Sequence, residues 1–177
     1  MASFEFVTKH KDCGLDLPKY ATPGSAGVDL AAVEDTVIPS YYSLMNSLQD
    51  KAKGDFFSLD QMAKLTKETH AKPTLISTGL KCCLSKDEYL KIVVRSSTPL
   101  KYWLILANSE GIIDSDYYNN ADNEGEIYIQ IINLSPFDLK IKKGETIAQG
   151  LIMPVNHAKC AIKSEERVGG FGSTSNS

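Results

Sequence analysis

The stretch EIYIQII, Glu126–Ile132, decides the fold of this chain. Its Ile127, Ile129 and Ile131 recur at every second position, with Tyr128 and Gln130 between them. Successive side chains of a strand point to opposite faces, so this alternation predicts a β-strand with one buried face.

Working outward from that strand, most of the chain consists of short apolar or alternating stretches separated by turn residues, as at Lys143–Glu145. Many short strands at such spacing predict a mainly β fold, either a barrel or a sandwich. The predicted strands are Phe4–Thr8, Val28–Ala32, Thr36–Ile38, Leu75–Leu84, Tyr89–Val94, Leu104–Ala107, Glu126–Ile132, Leu139–Ile141, Thr146–Met153 and Ala161–Ser164.

The segment Tyr41–Ala71 departs from this strand pattern. Leu44 and Leu48 repeat at helical spacing, Gly54 can end a first helix, and Ser58–Gln61 has the capping-box pattern that begins a second. We predict a small helical hairpin inserted into a single β domain spanning 1–177. The hairpin has two interpretations: a helical elaboration without a partner, which we favour, or a surface for a protein partner.

Length, composition and charge exclude several classes of protein. The chain has 177 residues, of which 42% are hydrophobic and 23% charged, as in one globular domain. A net charge of -3 argues against general nucleic-acid binding, but it is compatible with binding of a small anionic ligand. No apolar run approaches the ~18 residues of a membrane helix. The N-terminal residues alternate like a strand and lack a secretory pattern, so we expect an intracellular, cytoplasmic protein.

The cysteines and histidines do not form a recognised reactive or metal-binding pattern. The four cysteines include no Cys-x-x-Cys pair, which argues against a structural zinc site. The adjacent Cys82 and Cys83 are predicted to share a strand, with one thiol on each face. His10, His70 and His157 have no serine or cysteine partner in a nucleophile motif, and no Walker-type lysine loop is present.

Several polar segments could instead bind an anionic ligand. Asp29 follows a glycine-containing bend, Arg95-Ser96-Ser97 offers a guanidinium fork beside two hydroxyls, and Asn108 carries both donors and acceptors. Asp114 follows two apolar residues, as a partly desolvated general base would. Taken singly, each has an ordinary explanation as a turn carboxylate, a surface turn or a hairpin. The glycine- and serine-rich composition of the tail 168–177 predicts a mobile segment.

Taken in order, these segments resemble the five motifs of the trimeric dUTPase family, which hydrolyses deoxyuridine triphosphate. The resemblance covers nearly the whole chain except Tyr41–Ala71, an insertion that is similar to elaborated phage or viral versions. A second, acidic insertion occupies Asn119–Glu124. The matching segments are Ala26–Leu30, Arg95–Ser97, Gly111–Tyr117 with Gly125–Ile127, Lys143–Gln149 and Gly169–Thr174.

The resemblance implies a jelly-roll-like β-barrel subunit and a homotrimer with three shared active sites. It implies hydrolysis of dUTP to dUMP and pyrophosphate, with Mg²⁺ bound through the substrate phosphates and no direct protein ligand. Asp114 would activate the attacking water at the α-phosphorus, with Asp29 as a supporting carboxylate. By the same resemblance, the substrate-binding residues are Asn108, Gly111 and Ile113 at uracil, Tyr117 beneath the deoxyribose, Arg95, Ser96, Ser97 and Gln149 at the phosphates, and Arg167, Phe171, Gly172, Ser173 and Thr174 in a tail that closes over the nucleotide.

Two alternatives keep the same fold. In a dCTP deaminase, or a bifunctional deaminase and dUTPase, a glutamate base occupies the strand after the third motif. The matching position here is Gln130, which cannot act as that base, so deamination is disfavoured. The other alternative is a regulatory interaction protein that uses Tyr41–Ala71 and Asn119–Glu124 as contact surfaces.

Overall fold

The fold is built from short antiparallel strands, as the alternating pattern predicts. The computed structural model describes residues 1–52, 54 and 56–158. The strands are β1 (Ser3–Phe6), β2 (Val28–Ala31), β3 (Thr36–Ile38), β4 (Thr74–Ser77), β5 (Leu80–Cys83), β6 (Glu88–Val94), β7 (Leu104–Leu106), β8 (Gly111–Ile113), β9 (Tyr128–Asn133), β10 (Leu139–Ile141) and β11 (Thr146–Pro154). The α-helices are α1 (Tyr41–Lys51), α2 (Leu59–Thr69) and α3 (Ser97–Tyr102), and Thr8–His10 and Ser115–Tyr117 form 3₁₀ turns.

The strand β9 lies at the centre of the core. Ile127, just ahead of it, and Ile129 and Ile131 within it are fully buried, whereas Tyr128 and Gln130 are partly exposed. The predicted alternation is therefore confirmed. β9 lies between β4 and β7 in a three-stranded antiparallel sheet.

A four-stranded antiparallel sheet, in the order β2-β11-β6-β8, supplies the other large part of the core. Its Leu30, Leu90 and Ile92 belong to the same hydrophobic cluster as Ile76 and Ile129 of the three-stranded sheet. Two short pairs, β1 with β5 and β10 with β3, complete the strand pairing. The mainly β prediction is confirmed.

The inserted segment folds as the predicted helical hairpin, in which α1 and α2 contact each other. Ser58 and Gln61 form the reciprocal capping box at the start of α2, as predicted. Gly54 does not end α1, however, because the helix already stops at Lys51 and Ala52 is extended. None of the α1 residues is buried, and Leu65 is the buried residue of α2.

Three local predictions are wrong. The single strand predicted over Leu75–Leu84 is two strands, because Gly79 has a φ of +68° and a Cβ there would lie 2.8 Å from Val33. β4 then pairs with β9, whereas β5 pairs with β1. The surface turn considered for Arg95–Ser97 continues into α3, and β8 lies between Ala107 and Glu126, where no strand was predicted. The predicted strand Ala161–Ser164 lies outside the described residues.

Cys82 and Cys83 share β5, with Cys82 buried and Cys83 partly exposed, so the two thiols point to opposite faces as predicted. Burial raises the pKa of the Cys82 thiol to about 12. At neutral pH Cys82 is therefore a protonated core residue rather than a reactive thiolate.

Candidate functional site

Three of the predicted site residues meet on neighbouring strands of the four-stranded sheet. Gln149 of β11 is directly opposite Asp29 of β2 and also pairs with Val93 of β6. Arg95 follows the end of β6, and its Nε lies 3.4 Å from the Asp29 Oδ1. The structure thus brings together Asp29, Arg95 and Gln149, which are far apart in the sequence.

The Asp29–Arg95 ion pair lies at the surface. Both side chains are about two-fifths exposed, at 38% and 43%, so the pair contributes little to stability. Its effect is to hold one edge of the guanidinium against β2. A guanidinium carries five N–H donors, so those not facing Asp29 can bind phosphate oxygens.

A glycine makes the close packing of this cluster feasible. A Cβ at Gly27 would lie 3.0 Å from the carbonyl oxygen of Gly150 and 3.3 Å from the Gln149 Oε1. Gly27 therefore lets the Gln149 side chain lie against the start of β2. This is the physical reason for a glycine two residues ahead of Asp29.

Ser96 and Ser97 extend the cluster beyond Arg95. Ser96 is exposed, occupies the N-cap position of α3 and makes no side-chain capping hydrogen bond. Buried Thr98 donates from Oγ1 to the carbonyl of Ile147 at 3.0 Å, which ties α3 to β11. That contact fixes the position of the two preceding serines relative to β11, the strand that carries Gln149.

A second group of predicted residues follows β8. Gly111 lies opposite Ile92, where a Cβ would approach the Ile92 Cβ to 3.0 Å, and Ile113 lies opposite Leu90. Asp114 comes directly after the strand with an exposed side chain, and its carbonyl accepts from the Tyr117 amide at 3.1 Å. Asp114 lines an open surface cleft of about 650 Å³ together with Tyr89, Asp116 and His157.

Tyr117 is almost completely buried, with 5% of its surface exposed. Its hydroxyl donates to the carbonyl of Glu126 at 3.1 Å and accepts from the Asn123 amide at 2.8 Å. The hydroxyl is therefore engaged by the protein. Asn108 is exposed in the turn that precedes β8.

One chain does not bring Asp114 close to Arg95. Ile113 pairs with Leu90, so Asp114 lies beside the beginning of β6, whereas Arg95 lies beyond its other end. Five residues of extended strand between Leu90 and Arg95 span roughly 16 Å. The predicted residues Arg167, Phe171, Gly172, Ser173 and Thr174 lie outside the described residues.

A buried carboxylate near Tyr117 was not predicted from the sequence. Glu126 is 1% exposed and accepts hydrogen bonds from Ser77 and Tyr128, both at 2.5 Å, while Lys9 Nζ lies 2.7 Å away. Burial acts to raise the pKa of Glu126, but the hydrogen bonds from Lys9, Ser77 and Tyr128 outweigh it and hold the pKa below its usual value. Its partners are distant in sequence, so no local pattern could reveal the cluster.

The described residues contain neither a ready-made metal cluster nor a membrane-spanning helix. No group of three or more His, Cys, Asp or Glu side chains in residues 1–52, 54 and 56–158 could hold a metal ion. Within the same part of the chain, no helix has the length and apolar character needed to cross a membrane.

Comparisons with known proteins give one consistent result. Residues 57–175 match the family model described as dUTPase. The deoxyuridine 5'-triphosphate nucleotidohydrolase of Lactococcus lactis is 39% identical over 173 residues, covering 97% of this chain and 95% of the relative. The crystal structure of dUTPase from Streptococcus mutans has a TM-score of 0.68 at 33% identity, covering 89% of this chain and 98% of that one.

The fold also extends to more distant relatives. A dUTPase of Staphylococcus bacteriophage 80alpha, solved as a point mutant with dUpNHpp, has a TM-score of 0.59 at 16% identity. The match covers 93% of this chain and 97% of the phage protein. At this level of identity, the similarity shows a shared fold.

Proposed function

The chain belongs to the dUTPase family, and from that membership we propose that it hydrolyses dUTP to dUMP and pyrophosphate. The observation that carries the proposal is the pair of site groups described above. One group would bind a triphosphate and consists of Asp29, Arg95, Ser96, Ser97 and Gln149. The other group, along β8, would bind a nucleoside.

Asp114 is the proposed general base. Its exposed carboxylate stands at the edge of a cleft, where a water molecule can reach it. The carboxylate would orient a water molecule for attack on the α-phosphorus and accept its proton, while pyrophosphate leaves from the opposite side. Arg95 and the two serines would stabilise negative charge on the phosphate oxygens during that displacement.

The nucleoside end of the substrate would lie along β8. The main chain at Gly111 and Ile113 and the Asn108 amide would match the donors and acceptors of uracil, so cytosine would leave buried polar groups unpaired. Steric exclusion by the tight main chain at this hairpin would reject the C5 methyl of thymine. The Tyr117 ring would lie beneath the sugar and disfavour a ribose 2'-hydroxyl.

We propose that Mg²⁺ arrives bound to the triphosphate. Asp29, the carboxylate among the residues proposed to bind the triphosphate, is already paired with Arg95. An ion held by the phosphates and water needs no protein ligand set, and it would neutralise phosphate charge. Asp29 then acts on the metal-bound substrate indirectly, by fixing the direction of the Arg95 fork.

The proposed active assembly is a homotrimer with three shared sites. Asp114 and Arg95 lie at opposite ends of β6, and a neighbouring copy would bring its Asp114 to the Arg95 of the first. A closed ring of three identical chains forms such head-to-tail contacts at each interface. Each site would then take Asp114 from one subunit and Arg95 from the next.

Pyrophosphate release tests the proposed function directly. With Mg²⁺ present, we expect release from dUTP to be much faster than release from UTP, dTTP or dCTP. Chelation of Mg²⁺ with EDTA should suppress the release. Absence of release from dUTP by folded protein would overturn the proposal, and formation of a deoxyuridine nucleotide from dCTP would favour a deaminase despite Gln130.

As a second candidate function, we propose the alternative that the sequence pattern alone did not favour, namely that the helical hairpin α1–α2 binds a protein partner in addition to catalysis by the rest of the chain. Phe56 and Leu59 are 93% and 89% exposed, and Tyr42 is 59% exposed. Three large apolar side chains exposed on one insertion offer contact area to a partner. None of the proposed site residues lies in this segment.

Deletion of the hairpin is expected to leave dUTP turnover intact. Ser40, at its start, is held by hydrogen bonds to Asp138 and Ser135, so a short linker can replace 41–71 without disturbing the sheet. The measurement is kcat and KM for dUTP, with circular dichroism as the control for folding. Loss of turnover in a folded deletion variant would place the hairpin within the active site instead.

A further inference from the structure

The insertion Asn119–Glu124 is folded back onto Tyr117. Asn123 donates from Nδ2 to the Tyr117 hydroxyl at 2.8 Å, and Asn120 donates from Nδ2 to the Tyr117 carbonyl at 2.8 Å. One asparagine therefore holds the end of the side chain and the other holds the main chain. Both contacts come from residues within the insertion.

The same two asparagines organise the loop around themselves. Asn120 is 7% exposed, and its Oδ1 accepts from the amides of Asp122 and Asn123 at 3.0 and 3.1 Å. Asn123 Oδ1 accepts from the Asn120 amide group and from the Gly125 main chain. These bonds fix the Asn123 side chain, so its donor is aimed at the Tyr117 hydroxyl before any ligand binds.

The N-terminal segment secures the far end of this loop. Glu124 accepts from the main chain and hydroxyl of Thr8 at 3.1 and 2.9 Å. Gly125, with a φ of +82°, brings the chain back so closely that a Cβ there would lie 2.5 Å from the Tyr117 carbonyl oxygen. The loop is thereby held against Tyr117 at both ends.

We infer that Asn123, supported by Asn120, is a positioning residue that sets the ring of Tyr117 and so determines how strictly the enzyme selects deoxyribose over ribose. This inference rests on the proposed function, in which the ring lies beneath the sugar. Asn123 acts through the Tyr117 hydroxyl and does not itself contact the substrate.

The physical reason is that steric selection requires a fixed surface. A ring that can tilt by a small angle makes room for an extra hydroxyl, whereas a ring held firmly at its far end cannot. The Glu126 carbonyl and the Asn123 amide hold the hydroxyl of Tyr117 from two directions. Loss of the Asn123 amide removes one of these two hydrogen bonds, so the far end of the ring is held less tightly and the ring can tilt further.

The test compares kcat/KM for dUTP and UTP in wild type and Asn123→Ala. We expect the dUTP/UTP ratio to fall about 3- to 10-fold, the factor that corresponds to one hydrogen bond of ordinary strength. The change should come from improved use of UTP more than from loss of dUTP turnover. Where UTP turnover is too slow to measure, the inhibition constants of dUDP and UDP report the same selection at the level of ground-state binding.

A double-mutant cycle separates positioning from general damage to the loop. In a Tyr117→Phe background the hydroxyl is absent, so Asn123→Ala should change the ratio no further. Asp122→Ala is the matched control, because its side chain is exposed in the same loop.

The outcomes are distinct. An unchanged dUTP/UTP ratio in folded Asn123→Ala, or equal effects of Asn123→Ala with and without the Tyr117 hydroxyl, would overturn the inference while leaving the proposed function standing. Failure of the wild type to hydrolyse dUTP would instead overturn the proposed function. A Tm close to that of the wild type shows that a changed ratio does not arise from unfolding.

Discussion

Replacing Asp114 with asparagine is expected to lower kcat for dUTP by about 10²–10⁴-fold, the usual contribution of a positioned general base. Asparagine has nearly the same shape as aspartate, but its amide cannot accept the proton of the attacking water. Asp114 is exposed, and its main-chain carbonyl makes the contact to the Tyr117 amide in the following turn. The substitution should therefore leave the fold and the KM for dUTP nearly unchanged.

The matched control for this variant is Asp60→Asn. Asp60 is exposed in α2, within the inserted hairpin, so the same chemical change there should not affect turnover. The measurement is steady-state release of pyrophosphate, with substrate binding followed separately by calorimetry. Wild-type turnover by folded Asp114→Asn would exclude Asp114 as the base.

The local sequence pattern was sufficient where a single interaction decides the structure. Alternation identified β9 because burial of one face is a property of consecutive residues. The capping box identified the start of α2 because both partners, Ser58 and Gln61, lie within four positions. In both cases, the residues that carry the signal are also the residues that interact.

The local sequence pattern did not predict elements that form through contacts between residues far apart in the sequence. β8 has three residues, one of them a glycine, and it forms because β6 offers a free edge. Thr78 and Gly79 end β4 because the chain changes its pairing partner there, from β9 for β4 to β1 for β5. Both partners are distant in the sequence, so the local pattern does not reveal the break. α3 begins with Ser-Thr-Pro, and its proline is tolerated only because it lies within the first turn.

For the candidate site, too, the sequence indicated individual residues but not their contacts with distant ones. The order of motifs suggested candidate site residues, but it did not indicate that Asp29, Arg95 and Gln149 form one cluster while Asp114 lies at the other end of β6. Nor did composition reveal the role of the insertion Asn119–Glu124. Its asparagines resemble an ordinary polar loop until their hydrogen bonds to Tyr117 are seen.

The separation of Asp114 from Arg95 leads to a second prediction with a large effect. Two inactive variants, Asp114→Asn and Arg95→Ala, are expected to restore activity when their subunits are mixed. In a trimer in which each site takes Asp114 from one subunit and Arg95 from the next, a site is active only when the first subunit has an intact Asp114 and the second an intact Arg95. Random mixing in equal amounts satisfies that condition at about a quarter of the sites.

The experiment refolds the two variants together and measures turnover against each variant refolded alone. The matched control mixes Arg95→Ala with Gln149→Ala, which should not restore activity, because both residues belong to one cluster on one chain. No recovery in the first mixture, with mixed trimers demonstrated by differently tagged subunits, would contradict the shared site. Recovery in the first mixture and not in the second requires that each site takes Asp114 and Arg95 from neighbouring copies, in agreement with the roughly 16 Å of β6 between Leu90, beside Asp114, and Arg95.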